Sequence, residues 1–218
     1  MTRPDLVIFD CDGVLVDTET LSNHHLVKML GASGYPITFE EARRNLCGMP
    51  MRAVKEKVEA EGYVLGEDFV DRWYQAIPII FEDGVEAIPY IEYVISAVKK
   101  AELPYCVASS ANVEKMHITL GKTGLIGHFQ DVLYSASMVA RGKPFPDLFL
   151  HAAKEMGHEP SQAVVIEDSV AGTKAGTAAG MRVFSYCGDD HADREGLTAA
   201  GGVLFDDMRK LPALLGIA

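Results

Sequence analysis

Six short apolar runs, at residues 6–9, 105–108, 132–134, 164–166, 183–184 and 203–205, recur along the chain. They are continuously apolar rather than alternating, which is the pattern of strands in a parallel sheet covered on both faces. Stretches with a helical period lie between them. Ile91, Val94, Ile95 and Val98 follow i, i+3, i+4, i+7, as do Phe149, Ala152, Ala153 and Met156. The alternation predicts an α/β fold with a doubly wound, Rossmann-like parallel sheet. In such folds ligands bind beyond the carboxyl ends of the strands.

One segment interrupts the alternation. From Thr18 to Asp83 there is no strand pattern, only helical pieces. Thr38-Phe39-Glu40-Glu41 reads as a capping box opening one helix, and Pro50 and Gly62 suit the start and stop of another. A helical insertion directly after the first strand predicts a second, smaller domain. The expected division is an α/β core of residues 1–16 and 85–218 with a helical cap at 17–84, hinged near Asp17 and Gly84. A chain of 218 residues is long enough to bury such a core.

The formal net charge is −11. It excludes nucleic acid and anionic membrane surfaces as expected partners, since both require a basic face. An anionic substrate would have to meet local positive charge. The four cysteines, Cys11, Cys47, Cys106 and Cys187, form no CxxC pair and read as reduced thiols. The opening MTRPDLVIFD is too short in its apolar part for a signal peptide, and no apolar run approaches membrane-spanning length. The expectation is a soluble, cytoplasmic protein.

The strand ends carry the chemistry. The first ends in Asp10-Cys11-Asp12-Gly13, the second in Ser109-Ser110, and the fourth in Glu167-Asp168-Ser169. Arg141-Gly142-Lys143-Pro144 adds a lysine in a loop before a helix. A parallel sheet puts all these strand ends on one edge. Asp10, Glu167 and Asp168 would repel one another there unless a hard divalent cation sat among them, and Mg2+ takes carboxylate oxygens while keeping positions for phosphate. Lys143, Ser109 and loop N–H groups would hold a phosphoryl group. Asp10 is then placed to attack phosphorus, and Asp12 to protonate the leaving oxygen and later activate water. Gly13 allows the sharp turn that brings both carboxylates inward.

Each element has an ordinary structural reading: a solvated Asp-x-Asp turn, an acidic helix entry, a capping serine, a solvated lysine. What favours a site is that all of them fall on one inferred sheet edge. Other signals are set aside. Gly142-Lys143 lacks the Ser or Thr of a P-loop. Gly172, Gly176 and Gly180 read as close helix packing on the sheet, and adjacent His24 and His25 diverge on a helix. Arg43, Arg44, Arg52, Lys55 and Lys57 read as a solvated helix face, with Arg52 the candidate to reach a distal anionic group of the substrate.

The four segments DCDGVLVDTE, VASSAN, GKPFPDLF and VIEDSVAGTKAGTAAGM resemble, in order, the motifs of the haloacid dehalogenase superfamily. The helical insertion resembles that of its small α-helical cap group, which includes phosphoglycolate phosphatases, sugar-phosphate phosphatases and β-phosphoglucomutase. The resemblance implies Asp10 as nucleophile, Asp12 as acid/base, and Ser109 and Lys143 as phosphate holders; Ser110 is a further substrate-binding candidate. It implies Mg2+ on Asp10, the Asp12 carbonyl and Asp168, with Glu167 alongside. The carboxylate at Asp12 matches the phosphoryl-transfer members rather than the dehalogenases. Mutases usually carry a cap histidine where this chain has Ser22, and an arginine where Gly48 is followed by Met51. Both departures favour a phosphatase of a small phosphorylated metabolite over a phosphomutase; the expected state is a monomer or weak homodimer. A receiver-type phospho-accepting module fits less well, because its lysine follows its acidic residues.

Overall fold

The structure, a computed structural model, describes residues 3–46, 49, 51–82, 84–189 and 192–217. The chain begins with β1 (Leu6–Phe9) and β2 (Val16–Asp17), followed by α1 (Glu19–Ala32), α2 (Phe39–Leu46), α3 (Met51–Ala60) and α4 (Phe69–Ile80). It continues through β3 (Glu86–Ala87), α5 (Ile91–Lys100), β4 (Tyr105–Ser109), α6 (Val113–Lys122), α7 (Ile126–Phe129) and β5 (Leu133–Ser135). The last part holds α8 (Asp147–Glu155), β6 (Ala163–Glu167), α9 (Val170–Ala178), β7 (Arg182–Tyr186), α10 (Arg194–Ala199), β8 (Val203–Phe205) and α11 (Leu211–Leu215). Two compact units result: Met1–Asp17 with Glu86–Ala218, and Thr18–Val85.

The first unit is a doubly wound α/β domain. Its six-stranded sheet runs β5-β4-β1-β6-β7-β8, every neighbouring pair parallel. The continuous apolar runs are explained by burial on both faces. Leu6, Ile8, Cys106, Ala108, Val165 and Val183 pack with Leu148, Phe149, Ala152 and Ala153 of α8 and Ala175 of α9. The alternate residues Val7, Phe9, Val107, Val164, Ile166 and Phe184 are also buried, and Phe9 meets Phe129 of α7 edge-on at 6.2 Å. Because β1 lies between β4 and β6, the winding reverses direction there, which is where folds of this class bind ligands, beyond the carboxyl ends of the strands.

Two local differences from the sequence pattern have simple causes. β5 begins at Leu133, because its pairing with β4 runs from Val107↔Leu133 to Ser109↔Ser135 and leaves Val132 in the preceding turn. β2 and β3 form an antiparallel ribbon of two residues each, Val16↔Ala87 and Asp17↔Glu86, too short to leave a periodic signature.

The second unit is entirely helical among its described residues. Leu26, Leu30, Ala42, Leu46, Val54, Val58, Leu65, Phe69 and Trp73 form its core. The capping box of α2 is complete: the Thr38 amide and hydroxyl donate to Glu41 Oε2 at 2.9 and 2.8 Å, and the Glu41 amide donates back to Thr38 Oγ1 at 3.2 Å. His24 stacks on Phe39 and His25 lies beside Trp73, so both histidine rings are engaged in packing. Cys47, Gly48 and Pro50 lie outside the described residues. The described cysteines, Cys11, Cys106 and Cys187, are buried free thiols. Among the described residues no helix is long and apolar enough to cross a membrane.

Candidate active site

Strand register builds the site. Phe9 pairs with Val107 on one side and Ile166 on the other, so the next residue, Asp10, is level with Ala108 and Glu167. The Asp10 amide still donates to the Ile166 carbonyl at 2.9 Å, which fixes the side chain at the end of β1. The chain then turns tightly: Leu15 and Val16 amides donate to the Cys11 carbonyl, and Gly13 takes a φ of 79°. A Cβ on Gly13 would lie 1.9 Å from Asp168 Oδ2, so the position requires glycine both for its backbone and for that approach.

Around Asp10 the charges are tightly paired. Lys143 Nζ donates to Asp10 Oδ1 at 2.6 Å and to Glu167 Oε1 at 2.7 Å. Glu167 is wholly buried, and its other oxygen accepts the Asp168 amide, the Ser169 amide and the Ser169 hydroxyl at 2.8, 2.6 and 2.9 Å. Those bonds explain how an anion is held in the interior. Burial pushes the Asp10 carboxyl up to about 7; Lys143 works against that rise, and the Glu167 and Asp12 charges add to it. Lys143 is raised despite burial, by the attraction of Asp10 and Glu167.

Carboxylate oxygens of Asp10, Glu167 and Asp168 all lie within 4.8 Å of one another. Such a cluster, with one carboxyl raised by burial and like charge, fits a hard divalent cation. Glu167 already accepts four hydrogen bonds, so its first role is to anchor Lys143 and the loop after β6. Asp10 and Asp168 are the carboxylates better suited to ligate. The side chain of Asp12 is not part of that cluster.

Ser109, at the end of β4, is buried, and its Oγ accepts the Ala111 amide at 3.1 Å. Ser110 is exposed, as is Arg52 on α3 in the helical unit. Two contributors were not foreseen from the sequence. Lys115 on α6 places Nζ 2.8 Å from Asp12 Oδ2, across 103 residues of chain. Gly172 is the other. A Cβ there would lie 1.6 Å from Glu167 Oε1, whereas at Gly176 it would meet Val183 at 2.6 Å. The glycine series is thus not uniform: Gly176 serves helix-on-sheet packing, Gly172 makes room for a site carboxylate, and Gly180 (φ 75°) turns the chain after α9.

The haloacid dehalogenase-like hydrolase family matches residues 7–186 of this chain. The chain belongs to that family. It is an enzyme, a phosphoric monoester hydrolase. It is 34% identical to the 6-phosphogluconate phosphatase of Escherichia coli over 193 residues, covering 88% of this chain and 86% of the relative. A haloacid dehalogenase-like protein of unknown function from Agrobacterium tumefaciens superposes with a TM-score of 0.86 at 35% identity, with 97% of each chain covered. A putative β-phosphoglucomutase from Thermotoga maritima superposes at 0.77 with 26% identity, over 97% of this chain and 98% of that one. Family membership removes the receiver-type reading.

Proposed function

We propose that this hydrolase is a Mg2+-dependent phosphatase of a small phosphorylated sugar, sugar acid or polyol, working through an aspartyl-phosphate on Asp10. The observation that carries the reading is the buried Asp10–Lys143–Glu167 array at the sheet's switch point, with Asp168 beside it. Asp10 and Asp168, with the Asp12 carbonyl, would hold the cation. When bound, it would offset negative charge on the phosphoryl oxygens.

Asp10 attacks phosphorus as the bond to the ester oxygen breaks, and the Asp12 carboxyl gives its proton to the departing alkoxide. Water then attacks the acyl phosphate and loses a proton to Asp12. The P–O bond to Asp10 breaks, freeing phosphate and restoring the carboxylate. Lys143 and Ser109 hold the phosphoryl group, with Ser110 beside them. The helical unit acts as the cap that selects the substrate, with Arg52 reaching a distal anionic group. The local lysines answer the net charge of −11, which repels an anionic substrate at long range. Free buried thiols suit a reducing cytoplasm.

The test is phosphate release from a panel of phosphorylated sugars, sugar acids and polyols that includes 6-phosphogluconate, with Mg2+ and with chelator. Mg2+-dependent release from a few related compounds is expected. The phosphomutase reading is supported by the Thermotoga neighbour and opposed by Ser22 and Met51. Hexose 1-phosphates run with a bisphosphate activator decide it: isomerised sugar phosphate without net release would replace the phosphatase reading.

A further inference from the structure

Lys115 occupies a position that chain energetics oppose. It is the third residue of α6, where the backbone dipole disfavours a cation. Its side chain is only 17% exposed, and taking an ammonium out of water is costly unless a partner compensates. A surface role would be met by turning the side chain outward. Instead the helix start is fixed around it: Asn112, the N-cap, accepts the amide of Lys115 itself at 2.8 Å. The ammonium donates to Asp12 Oδ2, also at 2.8 Å. The first turn of α6, the helix that follows β4, thereby grips the carboxylate in the turn after β1, the strand paired with β4.

From this arrangement we infer that Lys115 is a positioning residue for the acid/base step, a second lysine that aims Asp12 as Lys143 secures Asp10. The two lysines divide the work. Lys143 bridges Asp10 and Glu167, whereas Lys115 contacts the carboxylate that exchanges protons with the leaving group and with water. A carboxylate on a glycine-containing turn has many orientations, and the charge-assisted bond from Lys115 to Oδ2 narrows them. The inference rests on the phosphatase reading above, in which Asp12 is the acid/base.

The experiment compares Lys115→Met, Lys115→Arg, Asp12→Asn and the Asp12→Asn/Lys115→Met double variant. p-Nitrophenyl phosphate, whose leaving group needs no proton, is followed by rapid mixing and in the steady state alongside the best alkyl phosphate from the panel. For Lys115→Met the expected result is a fall in kcat of roughly 30-fold on the alkyl ester with KM changed by less than about threefold. On the aryl ester an initial burst of nitrophenolate should survive while steady turnover falls, because only water activation is impaired. Lys115→Arg should recover part of kcat. The double variant should be no slower than Asp12→Asn alone, since Lys115 acts only through Asp12.

Independent losses that multiply in the double variant would overturn the inference. So would a Lys115→Met effect confined to KM, or equal loss of burst and turnover with Asp12→Asn still showing the burst. If Asp12→Asn itself retains full activity on the alkyl ester, the reading of Asp12 fails, and that outcome is separate from any result at Lys115. Should Lys115→Met fail to fold, Lys115→Gln removes the charge with a polar side chain of similar length, and a folded Lys115→Gln with wild-type kcat on the alkyl ester would also refute the inference.

Discussion

Around Asp10, the side chains of Lys143, Asp10 and Glu167 are 5, 9 and 1% exposed. Around Asp12, those of Lys115 and Asp12 are 17 and 26% exposed. Both centres set a lysine against a carboxylate just beyond the carboxyl end of β1, yet one is nearly dry and the other touches solvent. The difference follows the chemistry proposed for each. A nucleophile benefits from a water-excluded place in which every hydrogen bond is fixed beforehand. An acid/base has to exchange protons with water during each turnover, and complete burial would defeat it. The dry centre is also over-determined, with Glu167 accepting four hydrogen bonds, so it resists adjustment. The wetter centre joins two distant segments of chain through the Lys115–Asp12 ion pair.

The largest effect that tests this contrast is at the nucleophile. Asp10→Asn should lower turnover by about 10³-fold or more while the far-ultraviolet circular dichroism stays that of the native protein. Asn keeps the shape and can still accept from Lys143. Residual turnover within tenfold of wild type would show that the dry centre is structural and that the nucleophile lies elsewhere.

An intermediate effect separates site support from packing within one glycine series. Gly172→Ala should force Glu167 off its place, loosen Lys143, and cut kcat roughly tenfold along with a stability loss of about 1–3 kcal/mol. Gly176→Ala presses on Val183 and Val165 instead, and should cost comparable stability while leaving kcat per folded molecule near wild type. Denaturant titration and steady-state kinetics on both variants measure the two quantities. Equal kcat in the two would remove the distinction drawn between the glycines.

How far the sequence reveals these features depends on the distance over which each is encoded. The six strands are legible because a sheet buried on both faces leaves uninterrupted apolar runs, and Asp10, Glu167 and Asp168 are legible because they directly follow such runs. Thr38 and Glu41 announce their helix through a spacing that is itself the hydrogen-bond pattern. Lys115 was invisible for the opposite reason. Its partner is 103 residues away, and a lysine in the first turn of a helix resembles any solvated cation. Its only mark was being on the wrong side of the helix dipole. Gly172 was hidden by its neighbours, because three glycines at intervals of four invite a single explanation, and only the position of Glu167 divides them. The ribbon of β2 and β3 is too short for any period to appear.

The smallest predicted effect lies in stability, and it probes how dry the Asp10 centre is. With its carboxyl pushed up to about 7, Asp10 holds a proton in the folded chain between that value and about 4, where an unfolded aspartate titrates. The folded state therefore binds more protons than the unfolded state in this window, and the contribution of Asp10 to stability falls as pH rises through it. Asn at this position mimics the protonated acid at every pH. In chelator, the Tm of wild type relative to Asp10→Asn should therefore decline between pH 5 and pH 8, by roughly 2–6 °C. Using the difference between the two proteins cancels the other titrating groups. Adding Mg2+ should restore wild type at pH 8 far more than at pH 5, since binding requires the ionised carboxylate and displaces its proton. Asp10→Asn, lacking that charge, should respond weakly at both. A wild-type Tm that parallels the variant across the range would mean that water reaches Asp10 as freely as it reaches Asp12. The two centres would then differ in their hydrogen bonds but not in their solvation.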